Sequence, residues 1–259
     1  MINSVFDFGL FELFSVFSIF YSVGYKNMRQ FILKRFFQDF IELIYPDLCV
    51  KCKINLRSPE KCLCTNCLLH LPFTQFEKDP NNPVAKAFWG RIPVEQAMSL
   101  LFFHPQGVSQ HLIHALKYQG RKDVGEFLGT LLASHLTHTS FNSVDLIVPV
   151  PLHPKKLKSR GFNQAEIVSY AFAKELNIEH APHLLRRVRH NATQTKKSRF
   201  ARAVNTDGLF EFNQKKDVEG THILVIDDVI TSGSTLESCM LPLVDAGAKV
   251  SVATIAFSA

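Results

Sequence analysis

Ile223-Leu-Val-Ile-Asp227-Asp228-Val-Ile-Thr231-Ser232-Gly233-Ser234-Thr235 is the stretch on which the reading of the fold turns. Four consecutive apolar residues describe a buried strand that delivers two carboxylates at its C-terminal edge. A run of small hydroxyl residues then opens a helix. Open α/β sheets bind ligands at that edge, and unpaired backbone N–H groups at a helix N-terminus suit a phosphate. Gly233 permits close backbone approach or positive φ. Adjacent carboxylates hold sugar hydroxyls or a hydrated cation, and magnesium accepts such partial protein ligation. A plain strand-to-helix turn capped by Asp227 or Asp228 is the simpler alternative. It explains one acid and one serine, but not two acids followed by T-S-G-S-T.

Outward from this stretch the pattern alternates between strand and helix. Thr235–Ala246 reads as a helix closed by Gly247, and Lys249–Phe257 as a final strand. Upstream, Thr221–Ile226 is a strand ending in the two acids, Asp145–Val150 a strand, and Gln164–Leu176 an amphipathic helix. Met98–Phe103 reads as a strand and Val108–Leu136 as helix with a break near Gly120. This alternation predicts an α/β fold, a parallel sheet flanked by helices. Leu71–Arg91, rich in proline and poor in periodic apolar residues, reads as a connector. Met28–Tyr45 has near-helical apolar spacing.

Composition narrows the class. The 259 residues are 46% hydrophobic and 20% charged, which excludes a disordered chain and a polytopic membrane protein. The net charge of +6 is uneven: His153–Arg202 holds 12 Lys/Arg against three acids. One segment is built to meet anions. The first 25 residues are Phe-rich without Lys or Arg, so they lack the basic start of a signal peptide. Their uncharged run Leu13–Tyr25 is 13 residues, short of the ~20 needed to cross a bilayer. An amphipathic extension and a true start at Met28 both fit; a membrane partner does not, and the expected location is cytoplasmic.

Five of six cysteines fall between Cys49 and Cys67. Cys49-x-x-Cys52 and Cys64-x-x-Cys67 have the spacing of a four-thiolate structural zinc knuckle, with no open position for catalysis. An iron–sulfur cluster and unmetallated thiols are the alternatives. Cys62 is a further candidate that blurs the second pair. Cys239 reads as a buried core thiol.

The Asp-Asp loop resembles the PRPP-binding motif of type I phosphoribosyltransferases. More widely, the chain resembles the ComF family, whose members include the competence protein ComFC and GntX-like proteins. The resemblance runs from about Tyr45 to the C-terminus and rests on four separated pieces. They are the cysteine cluster, His114-Ala-Leu-Lys-Tyr-Gln-Gly-Arg121, Val148-Pro-Val-Pro-Leu-His-Pro-Lys-Lys-Leu-Lys-Ser-Arg-Gly-Phe-Asn-Gln164, and the Asp-Asp loop. The residues themselves give an N-terminal extension and helix over 1–45, and the resemblance implies a zinc knuckle over 46–72 and a phosphoribosyltransferase-like domain over 97–259. It also implies PRPP with magnesium as ligand, with Asp227 and Asp228 as the catalytic acids and Thr231, Ser232, Gly233, Ser234 and Thr235 holding the 5-phosphate.

By the same resemblance, Val150-Pro151-Leu152-His153 is the loop that contacts pyrophosphate. Lys155, Lys156, Lys158 and Arg160 follow it, after a strand end rather than on a helix face, and supply positive charge; a solvated turn is the bland reading. Asn163 reads as the N-cap of the next helix. Arg186–Arg202, with seven Lys/Arg and no acid, reads as a closing loop, a basic linker or a nucleic-acid contact. Lys117 and Arg121 read as cations solvating a helix face and stay outside the site. Of the histidines only His153 adjoins it. Two functions compete: a phosphoribosyl transferase, and a non-catalytic adaptor that keeps the pocket while handling single-stranded DNA for the competence machinery. Acceptor and oligomeric state are not encoded in any motif.

Overall fold

The computed structural model describes residues 46–137, 139–188, 209–213 and 216–258. The Phe-rich beginning and the Met28–Tyr45 helix lie outside them, as does most of the basic stretch after Val188. The chain divides into two compact units, Met1–Leu48 and Cys49–Ala259. The second unit contains the cysteines as well as the sheet.

Its frame is a five-stranded parallel sheet in the order β1-β7-β6-β2-β3. The strands are β1 (Gln96–Phe102), β2 (Leu146–Pro149), β3 (Glu179–His180), β6 (His222–Ile230) and β7 (Lys249–Phe257). A separate antiparallel pair joins β4 (Leu185–Arg187) to β5 (Phe210–Phe212). Among the described residues, seven α-helices complete the unit: α1 (Thr65–Leu69), α2 (Pro83–Lys86), α3 (Val108–Tyr118), α4 (Lys122–Leu136), α5 (Pro154–Arg160), α6 (Gln164–Leu176) and α7 (Ser234–Asp245).

The two-residue period of the strands separates two cores. Leu224 and Ile226 of β6, Ile147 of β2 and Ile255 of β7 face α3, α4 and α6. Ile223 and Val225, with Val148 and Val252, face α7, α2 and the β4–β5 pair. A parallel sheet buried on both faces needs such near-continuous apolar strands. Gly129 shows how tightly one layer closes: a Cβ there would overlap the Val168 carbonyl oxygen, so α4 and α6 touch backbone to backbone.

The Gly120 break is present, between α3 and α4, with Gly120 at φ +68. Three sequence readings need correction. β6 does not end at the acids; it runs through them to Ile230, because β7 reaches Phe257 and supplies ladder partners that far. Leu71–Arg91 is more than a connector: Asn82, 1% exposed, caps α2 and also donates to the Ala97 carbonyl oxygen at 2.7 Å. Lys155, Lys156, Lys158 and Arg160 do lie on a helix, α5, which Pro154 starts and Gly161 ends at φ +81.

Candidate functional site

The site follows from unequal strand lengths. β2 stops at Pro149, opposite Ile226, while β6 continues beyond it through Asp227 and Asp228. The acids therefore stand at an overhang that β2 does not reach. Val150 still donates its N–H to the Ile226 carbonyl oxygen at 2.9 Å, the last ladder bond below the step. Pro151, Leu152 and His153 lead from there into α5, whose first turn His153 caps through Nδ1, accepting from Lys155 N at 3.2 Å. Asn163 stands at the N-cap position of α6, but its amide donates to the Val150 carbonyl oxygen at 3.1 Å instead of capping the helix. It ties the two ends of this loop together.

After β6, Thr231 and Ser232 are exposed, and Gly233 is buried as the N-cap of α7 at φ +76. A side chain at Gly233 would meet Phe88 at 3.2 Å, so the loop rests on the segment following α2. Arg91 buttresses it, donating to the Ser232 carbonyl oxygen at 3.1 Å and pairing with Glu237 on α7. The hydroxyls of Ser232 and Ser234 lie 3.1 Å apart. Free N–H groups at the start of a twelve-residue helix, beside outward hydroxyls, form an anion-accepting concavity.

The charges are unequal. Burial, and then the neighbouring Asp228 charge, push Asp227 up to about 7, even though its residue keeps some exposure. Its carboxylate accepts from the Asp228 N–H at 2.8 Å. Asp228 is paired instead: Lys117 Nζ lies 2.9 Å from its Oδ1, with the two side chains only 19% and 13% exposed. Arg187 on β4 also lowers the cost of charge at Asp227. The carboxylate oxygens suit a hard cation such as magnesium, although an ammonium already holds one of them. The sequence reads Lys117 as a solvated helix residue, although it lies in the His114–Arg121 piece of the family resemblance; its partner lies 111 positions further on. The periodicity does carry a hint: α3 buries Ile113 and Leu116, which directs Lys117 along the sheet side.

The second candidate centre is the cysteine cluster. The Sγ atoms of Cys49, Cys52, Cys64 and Cys67 all lie within 4.8 Å of one another. A tetrahedral thiolate site with bonds of about 2.3 Å has sulfur–sulfur edges of about 3.8 Å, and Cys52 and Cys64 are already at 3.6 Å. Local folding accounts for this. Lys53 at φ +63 turns the chain so that its N–H donates to the Cys49 carbonyl oxygen. The Val50 N–H donates to the Cys62 carbonyl oxygen at 2.9 Å and brings the two halves together. Cys64 precedes α1, and Cys67 follows on its first turn, on the same side. Cys62 turns away, with its thiol donating to Asp123 on α4 at 3.4 Å. Burial, and then that carboxylate, push the Cys62 thiol up to about 12, so it stays protonated. Cys239 is buried on α7, in the other core.

The phosphoribosyl transferase domain family matches residues 157–258. The chain is 29% identical over 210 residues to the DNA utilization protein YhgH of Escherichia coli K12, covering 79% of this chain and 88% of that one. It is 31% identical over 131 residues to competence protein F of Haemophilus influenzae, covering 48% and 57%. Among solved structures it resembles the glutamine PRPP amidotransferase of Bacillus subtilis, at 20% identity and TM-score 0.39, over 55% of this chain and 30% of that chain. Residues 157–258 thus match a phosphoribosyl transferase domain, and the described residues form a parallel sheet flanked by helices with a four-cysteine cluster ahead of it. The chain's relatives are competence and DNA utilization proteins, as the resemblance to the ComF family implied. Among the described residues, no helix is long and apolar enough to cross a membrane.

Proposed function

We propose that this chain binds a 5-phosphoribosyl ligand such as PRPP, together with magnesium, at the overhang of β6. The observation that carries this reading is the adjacency of two unlike carboxylates and a phosphate-accepting helix start on one strand-to-helix junction. Thr231, Ser232, Gly233, Ser234 and Thr235 would take the 5-phosphate, and Asp227 and Asp228 the ribose hydroxyls. Val150, Pro151, Leu152 and His153, with Lys155 and Arg160, would line the pyrophosphate side. Magnesium would supply charge neutralisation for the pyrophosphate. In a transfer reaction, a nucleophile's bond to the ribose anomeric carbon forms as the bond to pyrophosphate breaks. The pyrophosphate leaves with that electron pair, and preorganised positive charge stabilises it. The cysteine cluster would be a closed structural zinc site over residues 46–72, separate from the chemistry. Ligand class and zinc site both fit a cytoplasmic protein.

The names of the relatives and the exposed lysines of α5 favour a second reading, an adaptor that keeps the pocket while meeting single-stranded DNA. One set of measurements separates the two. Calorimetric titration with PRPP and magnesium should give binding, and Asp227→Asn with Asp228→Asn should weaken it about tenfold, about 1.4 kcal/mol, with the fold intact. Unchanged affinity in the folded double variant would remove the site. Pyrophosphate release over candidate acceptors supports the transferase. Binding without turnover, with salt-dependent affinity for single-stranded DNA, supports the adaptor.

A further inference from the structure

Lys117 comes from α3, in a different part of the chain from every motif at the sheet edge. Its ammonium touches the acidic pair directly, and its role rests on the ligand-binding reading of that edge. Its ammonium is 2.9 Å from Asp228 Oδ1, and neither side chain keeps a fifth of its surface open to water. A mostly desolvated ammonium held by one carboxylate is a fixed charge rather than a solvated one. The backbone around it is fixed as well. Leu112, Ala115 and Leu116 anchor α3 in the core, and the Gln119 and Arg121 N–H groups both donate to the Ala115 carbonyl oxygen to end the helix. Next to it, Arg160 stacks over the Tyr118 ring at 5.5 Å, so the end of α3 is tied to the end of α5 on the pyrophosphate side.

We propose that Lys117 is a resident counter-cation of the site, occupying at Asp228 the place a divalent ion would otherwise take. Asp228 is then neutralised before any ligand arrives. A sugar phosphate meets one paired acid and one largely desolvated acid instead of two bare charges facing its phosphate. Lys117 acts through Asp228 and is a positioning residue. A divalent ion is required only by ligands that carry their own pyrophosphate, and ribose 5-phosphate should bind without one.

The test is titration of ribose 5-phosphate in chelator and in millimolar magnesium, with wild type, K117Q and K117R, each checked for folding by circular dichroism. Wild type should bind with affinities within about threefold in the two buffers. K117Q should lose at least tenfold in chelator and recover most of it in magnesium, as the ion enters beside the vacated carboxylate. K117R should behave as wild type. A purely structural lysine would not produce rescue by magnesium. Wild type that binds while folded K117Q is indistinguishable from it in chelator overturns the proposal alone, as does K117Q weakened equally in both buffers. An unfolded K117Q leaves the decision to K117R and to wild type: strict magnesium dependence in either overturns it. Wild type that binds neither ribose 5-phosphate nor PRPP removes the site reading and this proposal together.

Discussion

The cysteine cluster and the acidic sheet edge both gather charged or chargeable groups, but they are assembled over different distances. The cluster draws four thiols from nineteen consecutive residues, and one backbone hydrogen bond, from Val50 to Cys62, brings its halves together. The sheet edge takes its acids from β6, its phosphate loop from the start of α7, its buttress Arg91 from beyond α2, and its counter-charge from α3. A locally built centre depends on what it binds. A centre built by the whole sheet stands without a ligand, and it carries its unbalanced charge as a standing cost. The contrast gives three expectations of decreasing size.

Removing metal ligands should have the largest effect. Cys49→Ser with Cys64→Ser should abolish stoichiometric zinc in protein purified without added metal. It should also cost about 3 kcal/mol or more, roughly 10 °C in Tm, because a structural metal contributes folding energy outright. Cys62→Ser should keep the metal, since that thiol faces Asp123. Metal lost with Cys62 and kept without Cys64 would reverse the ligand set.

The acidic edge should respond to pH in the opposite sense from an ordinary salt bridge. Asp227 is raised from 3.8 to about 7 in the fold. Below about pH 4 it is protonated in both states and imposes no penalty. As pH rises through 7 the unfolded chain loses this proton first, so the ligand-free fold loses stability. Asp227→Asn removes that loss. Urea unfolding should show its advantage over wild type growing by about 2 kcal/mol from pH 4 to pH 8, once partial exposure of the group is allowed for. A difference independent of pH would mean that Asp227 is solvated like a surface acid.

Gly233→Ala should give the smallest change. Its φ of +76 and the Phe88 ring 3.2 Å from the new Cβ both oppose a side chain. A stability loss of about 1–2 kcal/mol is expected, with weaker binding of phosphate ligands. No loss would mean that the phosphate loop shifts freely, unlike the cysteine turns.

How much of this could be read from the sequence follows the same division. The span of α6 and of β7 is visible because apolar periodicity and flanking glycine or asparagine mark their ends. The four cysteines are visible because spacing alone constrains them, whereas the orientation of Cys62 depends on Asp123, sixty-one residues away. The overhang of β6 is not visible: how far a strand continues is set by its neighbours, here β7 on one side and the short β2 on the other. Lys117 is hidden for the same reason. A lysine in the last turn of a helix looks solvated until the strand beneath it is known. Of Arg186–Arg202, which the charge pattern marks as a closing loop, a basic linker or a DNA track, Arg186 and Arg187 lie on β4 and residues 189–202 lie outside the described residues.

The position of β7 bears on how the protein is made. Among the described strands β7 is synthesised last, and it lies between β1 and β6. Among the described strands β1 pairs with β7 alone, and β6 has only the four-residue β2 on its other side. While the ribosome has yet to release Lys249–Phe257, both long strands present open, apolar edges to whatever is nearby. The cysteine turns, emerging about 180 residues earlier, are free of this constraint, because their backbone hydrogen bonds lie within residues 49–68. A nascent chain of this protein thus has one early, locally built landmark and a sheet that stays incomplete until β7 emerges, the interval in which a chaperone has most to protect.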